Sequence, residues 1–254
     1  MKKFLLAGVA VAALASGAQA ADLGAPRGPV AAVVVAPQFN WTGFYLGVFV
    51  GGTSTRTSAL EVQGASPGAY NGLGDFWSGS RTGVTAGILG GYNWQWNSAV
   101  FGIEADLGYR GSAFTAGPSA LSTDTFLRTR DGLQGSLRAR LGFAADRALF
   151  YVTGGLAIGD FRSNVFDNVG VTINTNAVGT RVGWTVGGGI EYAFTPNWTA
   201  RVEYLYANFG TATSTGISSV ATNRAWQIKN DTHTVRLGVN YLFSTGPSAV
   251  VARY

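Results

Sequence analysis

Residues 100–111, VFGIEADLGYRG, decide the fold because apolar and polar residues alternate in them without interruption. Every second residue is apolar, and this set comprises Phe101, Ile103, Ala105, Leu107 and Tyr109. The residues between them are charged or glycine. A helix would spread the charges around its whole circumference, whereas a β-strand places successive side chains on opposite faces. The run therefore predicts a strand with one apolar and one polar face.

The same two-residue period recurs seven more times along the chain. The eight predicted strands cover residues 44–52, 83–96, 100–111, 133–143, 150–161, 181–194, 198–206 and 234–243. Lengths of about 9–14 residues suit tilted strands that cross a membrane. Short connections alternate with long ones, which lie near residues 53–81, 112–131, 162–180 and 210–233. We expect an all-β fold, an eight-stranded antiparallel up-and-down transmembrane β-barrel over residues 40–243.

The chain ends on either side of this barrel have their own composition. Residues 1–20 combine Lys2 and Lys3 with an apolar stretch and a small-x-small site, which is typical of a secretory signal peptide cleaved near Ala20. The apolar stretch is shorter than the roughly 20 residues that a membrane helix needs. Residues 21–39 are interpreted as a Pro/Ala/Val-rich periplasmic lead-in and residues 244–254 as a C-terminal tail. Export places the tight turns in the periplasm and the long loops outside the cell.

The composition excludes several classes of function. Only 12% of the residues are charged, whereas a soluble surface carries about 25–35%. The chain has no cysteine, which excludes thiol catalysis, disulfides and cysteine-ligated metals. The net charge of +5 is spread singly, so we expect no nucleic-acid binding. The one histidine, His233, has no recognisable catalytic partner, and we expect neither an enzyme nor a cofactor or metal site.

Two eight-stranded barrels fit an alternating chain, and they differ in orientation. A lipocalin-like barrel points its apolar face inward, whereas a membrane barrel points it into lipid. The polar face consists mostly of small residues and has too few charges for a water-exposed exterior, which favours the membrane barrel. Aromatic residues near the tight turns are then predicted to form a girdle at the membrane interface. They are Tyr92, Trp94, Trp96, Phe101, Phe143, Phe150, Tyr192, Phe194, Trp198, Tyr241 and Phe243.

In that orientation the charged residues of the polar face point into the lumen. The set is Glu104, Asp106, Arg110, Arg138, Arg140, Arg181, Glu191, Arg201, Glu203 and Arg236. The strand with Glu104 and Asp106 adjoins the one with Arg138 and Arg140, and Glu191 lies beside Arg201. Because unpaired buried charges are costly, we expect cross-strand salt bridges that fill the narrow interior. An arginine-lined anion path is the alternative.

The last predicted strand and the start of the first one resemble a known family. Arg236, Gly238, Tyr241 and Phe243 resemble the barrel-assembly signal of bacterial outer-membrane proteins, with either Phe243 or Tyr254 as its recognised end. With the opening WTGFYLG at residues 41–47, the Pro/Ala lead-in and the VARY ending, the whole chain resembles the small porin-family proteins of alphaproteobacteria. These are OmpA-type outer-membrane barrels and abundant surface antigens.

The resemblance implies a place in the Gram-negative outer membrane and a structural, envelope-integrity role without catalysis. The expected partners are outer-membrane lipid and lipopolysaccharide, the barrel-assembly machinery and extracellular ligands at the long loops. Some members are described as haem-binding or weakly channel-forming. A narrow ion or small-solute channel and haem or host-ligand binding through the loops therefore stay open as alternatives, although no residue of this chain carries those activities over.

Overall fold

The computed structural model describes residues 39–63, 74, 76–111, 113–116, 125–167, 172–217 and 223–244. The predicted signal peptide, the lead-in up to residue 38, and Tyr254 with the tail after Ser244 lie outside the described residues. The strands are β1 Gly43–Gln63, β2 Phe76–Trp96, β3 Ala99–Gly111, β4 Ala113–Ala116, β5 Thr125–Ala145, β6 Ala148–Asp167, β7 Thr172–Ala193, β8 Trp198–Ile217 and β9 Asn223–Ser244. Within these ranges, no helix is long and apolar enough to cross a membrane.

The strands form one closed antiparallel sheet. Apart from β3 and β4, which do not pair with each other, the strands pair with their neighbours in the chain. The sheet closes where β1 pairs with β9 from Gly43–Ser244 to Gln63–Ala225. Both β3 and β4 pair with β5, so these two strands are successive segments of one barrel strand. The predicted fold class, an eight-stranded antiparallel up-and-down barrel, is confirmed.

One end of the barrel is built from tight turns. The turns at residues 97–98 and 146–147 each join two adjacent strands directly, and residues 194–197 form the third short connection. Asn97 and Asp146 have φ angles of 54° and 51°. Asn and Asp tolerate this left-handed conformation better than other residues with a side chain, which suits them to such turns. The short connections therefore lie where the sequence predicts them.

At the other end the strands are longer than predicted. Much of the four segments interpreted as long loops, residues 53–81, 112–131, 162–180 and 210–233, is strand. The loop prediction was wrong because these extensions seldom contain the alternate apolar residues that were used to recognise a strand. In the run TSTRTS of residues 53–58, threonines provide the inward face, and β-branched threonine fits a strand without being apolar.

Apolar side chains cover the outside of the barrel and charged ones lie inside it. Val84 is 69% exposed and Leu46 is 61% exposed, whereas Arg138 retains 1% of its accessible surface. A soluble protein has the reverse distribution. An exterior of this kind is expected where the barrel wall meets lipid. The predicted outward orientation of the apolar face is confirmed.

Candidate functional site: the charged interior

The strands bring charged side chains together because alternate residues of every strand face the axis. Glu104 and Asp106 come from β3, Arg138 and Arg140 from β5, Glu191 from β7, Arg201 and Glu203 from β8, and Arg236 from β9. In the strand register, Glu104 lies opposite Arg138, and Glu203 lies opposite Arg236. Inward-facing charges of opposite sign are thus stacked at the same height in the barrel.

Glu104 is the centre of a network that crosses the lumen. Its carboxylate forms an ion pair with Arg138 on the neighbouring strand and accepts hydrogen bonds from Arg201, the shorter of which is 2.5 Å. Arg201 belongs to β8, which does not adjoin β3 in the sheet. The Arg201–Glu104 pair therefore joins two walls of the barrel through its interior.

Glu203 provides the second carboxylate of this network. Arg236 Nε donates to Glu203 Oε2 at 2.5 Å, and Arg138 Nη1 donates to Oε1 at 3.2 Å. Asp106 lies 3.1 Å from Arg138 and completes the set. Three guanidinium groups thus face three carboxylates, and we call these six residues (Glu104, Asp106, Arg138, Arg201, Glu203 and Arg236) the central network. Its charges cancel, which is the condition under which buried charges are tolerated.

Two buried tyrosines donate hydrogen bonds to carboxylates of the central network. The Tyr45 hydroxyl donates to Glu104 Oε2 at 2.8 Å, and the Tyr151 hydroxyl donates to Glu203 Oε1 at 3.2 Å. Both rings are buried, and Arg140 lies over the Tyr151 ring with 3.6 Å between Cζ and the ring centroid. The carboxylates are therefore held by neutral donors as well as by cations.

A second layer lies between the central network and the tight turns. Arg140 forms an ion pair with Glu191, which also accepts hydrogen bonds from Thr199 at 2.5 Å and from Asn240 at 2.8 Å. Beyond this layer Trp41 is buried at 1% exposure, and its indole Nε1 donates to the Asp146 carbonyl at 3.1 Å. The tight-turn end of the interior is therefore filled by side chains.

A third charged layer lies on the opposite side of the central network, and sequence reasoning missed two of its residues. Arg81 Nη2 and Nε donate to the two oxygens of Asp131 at 2.5 and 3.3 Å. Arg110 lies 3.9 Å from Asp131 and also donates to Gln134. Arg81 and Asp131 fell within segments interpreted as loops. Continuing the two-residue period from Thr85 back to Arg81 would have identified the arginine.

Asp131 could not be found by the same extension. The register between β5 and β6 shifts between Asp131 and Gln134, as it does at a β-bulge. Such an irregularity changes which residues face inward. Counting back in twos from Arg138 reaches Gln134 and then Gly132, so the count assigns Asp131 to the outer face. Asp131 nevertheless points inward and is buried.

The ion-pair partners differ from those that strand adjacency suggests. Arg201 lies opposite Glu191 in the register, yet it pairs with Glu104, and Glu191 pairs with Arg140. The interior is narrow, so long arginine side chains reach carboxylates across it as easily as along the wall. Arg181 is only half-buried and forms no ion pair with any other residue that the structure describes.

All eleven aromatic residues of the predicted girdle project from the outer face near the tight turns. Trp96 is 76% exposed, and pairs such as Trp198 and Tyr241, whose centroids are 5.2 Å apart, pack edge to face. Phe44 extends the group by packing against Tyr92 at 4.6 Å. Of the predicted assembly-signal residues, Arg236 lies in the central network, whereas Tyr241 and Phe243 project outward. The interfacial and assembly roles stay predictions.

The lone histidine, His233, lies within β9, and its side chain projects from the outer face of the barrel. Its Nδ1 lies 2.7 Å from the Tyr204 hydroxyl. Among the residues that the structure describes, no cluster of three or more His, Cys, Asp or Glu side chains could hold a metal ion.

Comparisons with known proteins agree with this architecture. Residues 5–243 match the family model described as "Outer membrane protein beta-barrel domain". The chain is 36% identical over 253 residues to the 31 kDa outer-membrane immunogenic protein of Brucella melitensis, covering 96% of this chain and 100% of that protein. It is 35% identical over 210 residues to the 22 kDa outer membrane protein of Rhizobium leguminosarum bv. viciae, covering 82% of this chain and 81% of that protein.

A solved structure gives the same fold at low sequence identity. The outer membrane protein OprG from Pseudomonas aeruginosa superposes with a TM-score of 0.56 at 11% identity, covering 82% of this chain and 99% of OprG. At that identity the likeness concerns the barrel fold alone.

Proposed function

The chain belongs to the family of outer-membrane β-barrel proteins and is located in the Gram-negative outer membrane, and from this premise we propose that it is a non-conducting structural barrel of the cell envelope. In this role the barrel anchors surface-exposed segments and performs no catalysis. Its stability comes from a filled, charge-balanced interior, and any recognition takes place on its outer surface and extracellular rim.

The observation that carries this proposal is the central network. Its six side chains come from four strands, β3, β5, β8 and β9, and meet across the lumen. An eight-stranded barrel has an interior that side chains can just fill. An ion moving along the axis would have to break several buried ion pairs at once. This arrangement supports a closed barrel over a narrow channel.

The space beside the central network is too small to supply a path. A cavity of about 40 Å³ lies next to Asp106, Arg110 and Arg236. This volume holds about three water molecules, since a cavity needs about 10–15 Å³ of such space to hold one. Trp41 and the Arg140–Glu191 layer fill the lumen towards the tight turns. The anion-path alternative would need all of these groups to move.

Planar-bilayer recording tests the closed barrel directly. The folded chain is added to a bilayer in concentrated KCl, and its folded state is verified beforehand by a shift in gel mobility between unheated and boiled samples. We expect no conductance steps at any protein concentration at which the chain inserts into the bilayer. Reproducible steps from folded protein, which are lost when the same sample is boiled first, would overturn the proposal in favour of a channel.

A further inference from the structure

A small polar cavity inside the barrel lies between two of the charged layers. It has a volume of about 40 Å³. Its lining includes Asp106 and Arg236 of the central network and Arg110 of the third charged layer, in which Arg110 and Arg81 both approach Asp131. The cavity is therefore in contact with charged groups of both layers.

The inward residues of β9 define the height of this cavity. Arg110 reaches across the lumen from β3, and its Nη1 lies 3.4 Å from the Thr232 hydroxyl. Arg236 is four residues further along β9, and Thr234 between them faces inward and lines the cavity. A strand tilted by about 40° rises about 2.6 Å per residue, so β9 covers about 10 Å of the axis from Arg236 to Thr232. The two arginines therefore approach one small space from different heights.

The charged groups around the cavity carry an excess of one positive charge. In the central network three guanidinium groups face three carboxylates, and Asp106 belongs to this balanced set because it lies 3.1 Å from Arg138 and 3.4 Å from Arg236. In the third layer, Arg81 and Arg110 lie 2.5 and 3.9 Å from the one carboxylate of Asp131. Two buried guanidinium groups thus share one carboxylate. Because an uncompensated buried charge is costly, an anion beside Arg110 would stabilise this layer.

The remaining buried carboxylates lie at other heights in the barrel. Glu191 pairs with Arg140 on the tight-turn side of the central network. Glu61 is four residues beyond Thr57, whose hydroxyl accepts a hydrogen bond from Arg81. On the same rise, this places Glu61 about 10 Å further along the axis than the third layer. Since the attraction between charges falls with distance, neither carboxylate replaces an anion in contact with Arg110.

Three donors around the cavity are available to an anion. Arg110 Nε is buried and has no hydrogen-bond partner among the residues that the structure describes. Arg236 contacts its carboxylates through Nε and Nη2, so its Nη1 takes no part in those ion pairs. The Thr234 hydroxyl lines the cavity and can donate a third hydrogen bond. Hydrogen bonds from guanidinium groups to an anion are charge-assisted and therefore strong.

We propose that this cavity binds a single halide ion, chloride in its natural setting, and we call Arg110, Thr234 and Arg236 the halide site. The cavity holds about three water molecules. A halide ion is only slightly larger than a water molecule and fits this space, whereas phosphate and sulfate are too large. Because side chains fill the rest of the interior, the ion is enclosed as the barrel folds. The proposal is independent of whether the lumen conducts, since it concerns occupancy at equilibrium and no current.

Bromide locates the ion directly, because it scatters X-rays anomalously and resembles chloride in charge and size. The full-length protein is refolded and crystallised from detergent in sodium bromide, and diffraction is recorded at the bromine absorption edge. We expect an anomalous peak in the cavity beside Arg110 in wild type and no such peak in R110Q. The control R147Q removes an exposed cation at a tight turn and should keep the peak. Peaks confined to the outer surface would mean an adventitious ion only and would overturn the proposal.

Unfolding by urea in micelles tests the same site in solution. A ligand that binds only the folded state raises the urea midpoint. At constant ionic strength, the midpoint of wild type and R147Q should rise as chloride replaces gluconate, which is too large for the cavity. The midpoint of R110Q should not change, and this variant should fold because it leaves Arg81 and Asp131 as a balanced pair.

A second variant keeps the test decisive if R110Q yields no folded protein. Thr234→Val removes one donor of the halide site and keeps the shape and charge of the interior. We expect T234V to need about tenfold more chloride for the same rise in midpoint, as a lost hydrogen bond to a charged group implies. A chloride-dependent rise of equal size and at equal concentration in wild type and in every halide-site variant that folds would overturn the proposal.

Discussion

Arg201 on β8 bonds to Glu104 on β3 across the interior of the barrel, with 2.5 Å between Nη1 and Oε2. The two residues are 97 positions apart in the chain, and their strands are not neighbours in the sheet. The pair therefore connects two walls of the barrel that share no backbone hydrogen bonds. The effect of its removal on the free energy of unfolding therefore measures how much the charged interior stabilises the barrel.

Removing the Glu104 carboxylate should destabilise the barrel strongly. Glu104→Gln leaves three buried guanidinium groups facing two carboxylates, and an uncompensated buried charge costs about 3–5 kcal/mol. The free energy of unfolding is measured by denaturant titration in micelles. The double variant E104Q/R201Q restores the charge balance and should recover part of this loss. A Glu104→Gln protein as stable as wild type would show that the network contributes little.

Trp41 should stabilise the tight-turn end by filling it. Trp41→Ala removes a large buried ring from the hydrophobic cluster that includes Val100 and Leu149, a change that typically costs about 3–5 kcal/mol. Trp96→Ala removes the same ring from an exposed position on the outer face and serves as the matched control. Denaturant midpoints in micelles should separate the two variants. Equal midpoints for the two variants would mean that Trp41 does not stabilise the tight-turn end of the barrel.

Small residues are required where strands carry large inward side chains. A Cβ added at Gly155 would lie 2.1 Å from the Leu137 carbonyl and 2.7 Å from the Arg138 Cα, so Gly155→Ala forces the backbone to shift. A cost of about 1–3 kcal/mol is expected from such overpacking. A Cβ at Gly52 meets nothing within 4 Å. The folded fraction, read from gel mobility before boiling, should fall for G155A and stay unchanged for G52A; the opposite order would refute this packing.

The absence of cysteine allows the topology to be read with single thiols. Gln63→Cys places a thiol at the exposed end of β1, and Ser98→Cys places one in a tight turn. A polymer-linked maleimide too large for the outer membrane should label Q63C on intact cells. It should label S98C only after the outer membrane is permeabilised. Labelling of S98C but not of Q63C on intact cells would show that the barrel has the opposite orientation in the membrane.

The sequence predicts the wall of the barrel better than its interior contacts. Alternation in residues 100–111 is sufficient to place Ile103 and Glu104 on opposite faces, because the two-residue period is a local property of a strand. The low charge of the polar face then assigns Ile103 to the outside and Glu104 to the inside. The same rule places Trp41 inside, two positions before the first strand. Neither assignment depends on how distant strands meet.

The contacts that close the interior depend on geometry that the local pattern does not contain. Arg201 and Glu191 are adjacent in register, yet each finds a partner elsewhere, since the choice depends on the barrel radius and on how far each side chain reaches. Asp131 points inward only because of a register shift. Thr53, Thr55 and Thr57 line the extended part of β1, which hydropathy alone assigned to a loop.

Water access to Arg236 tests the sealed, charge-filled interior most directly. Its Nε–H is donated to Glu203 at 2.5 Å inside the barrel, whereas Arg147 is exposed at a turn. Nitrogen-15 NMR of the folded protein in lipid nanodiscs, with the signals assigned by R236K and R147K, follows their exchange after transfer to deuterated water. We predict that the Arg236 Nε–H signal is still present after about an hour, when that of Arg147 has vanished. Loss of both signals within the dead time would contradict a closed interior.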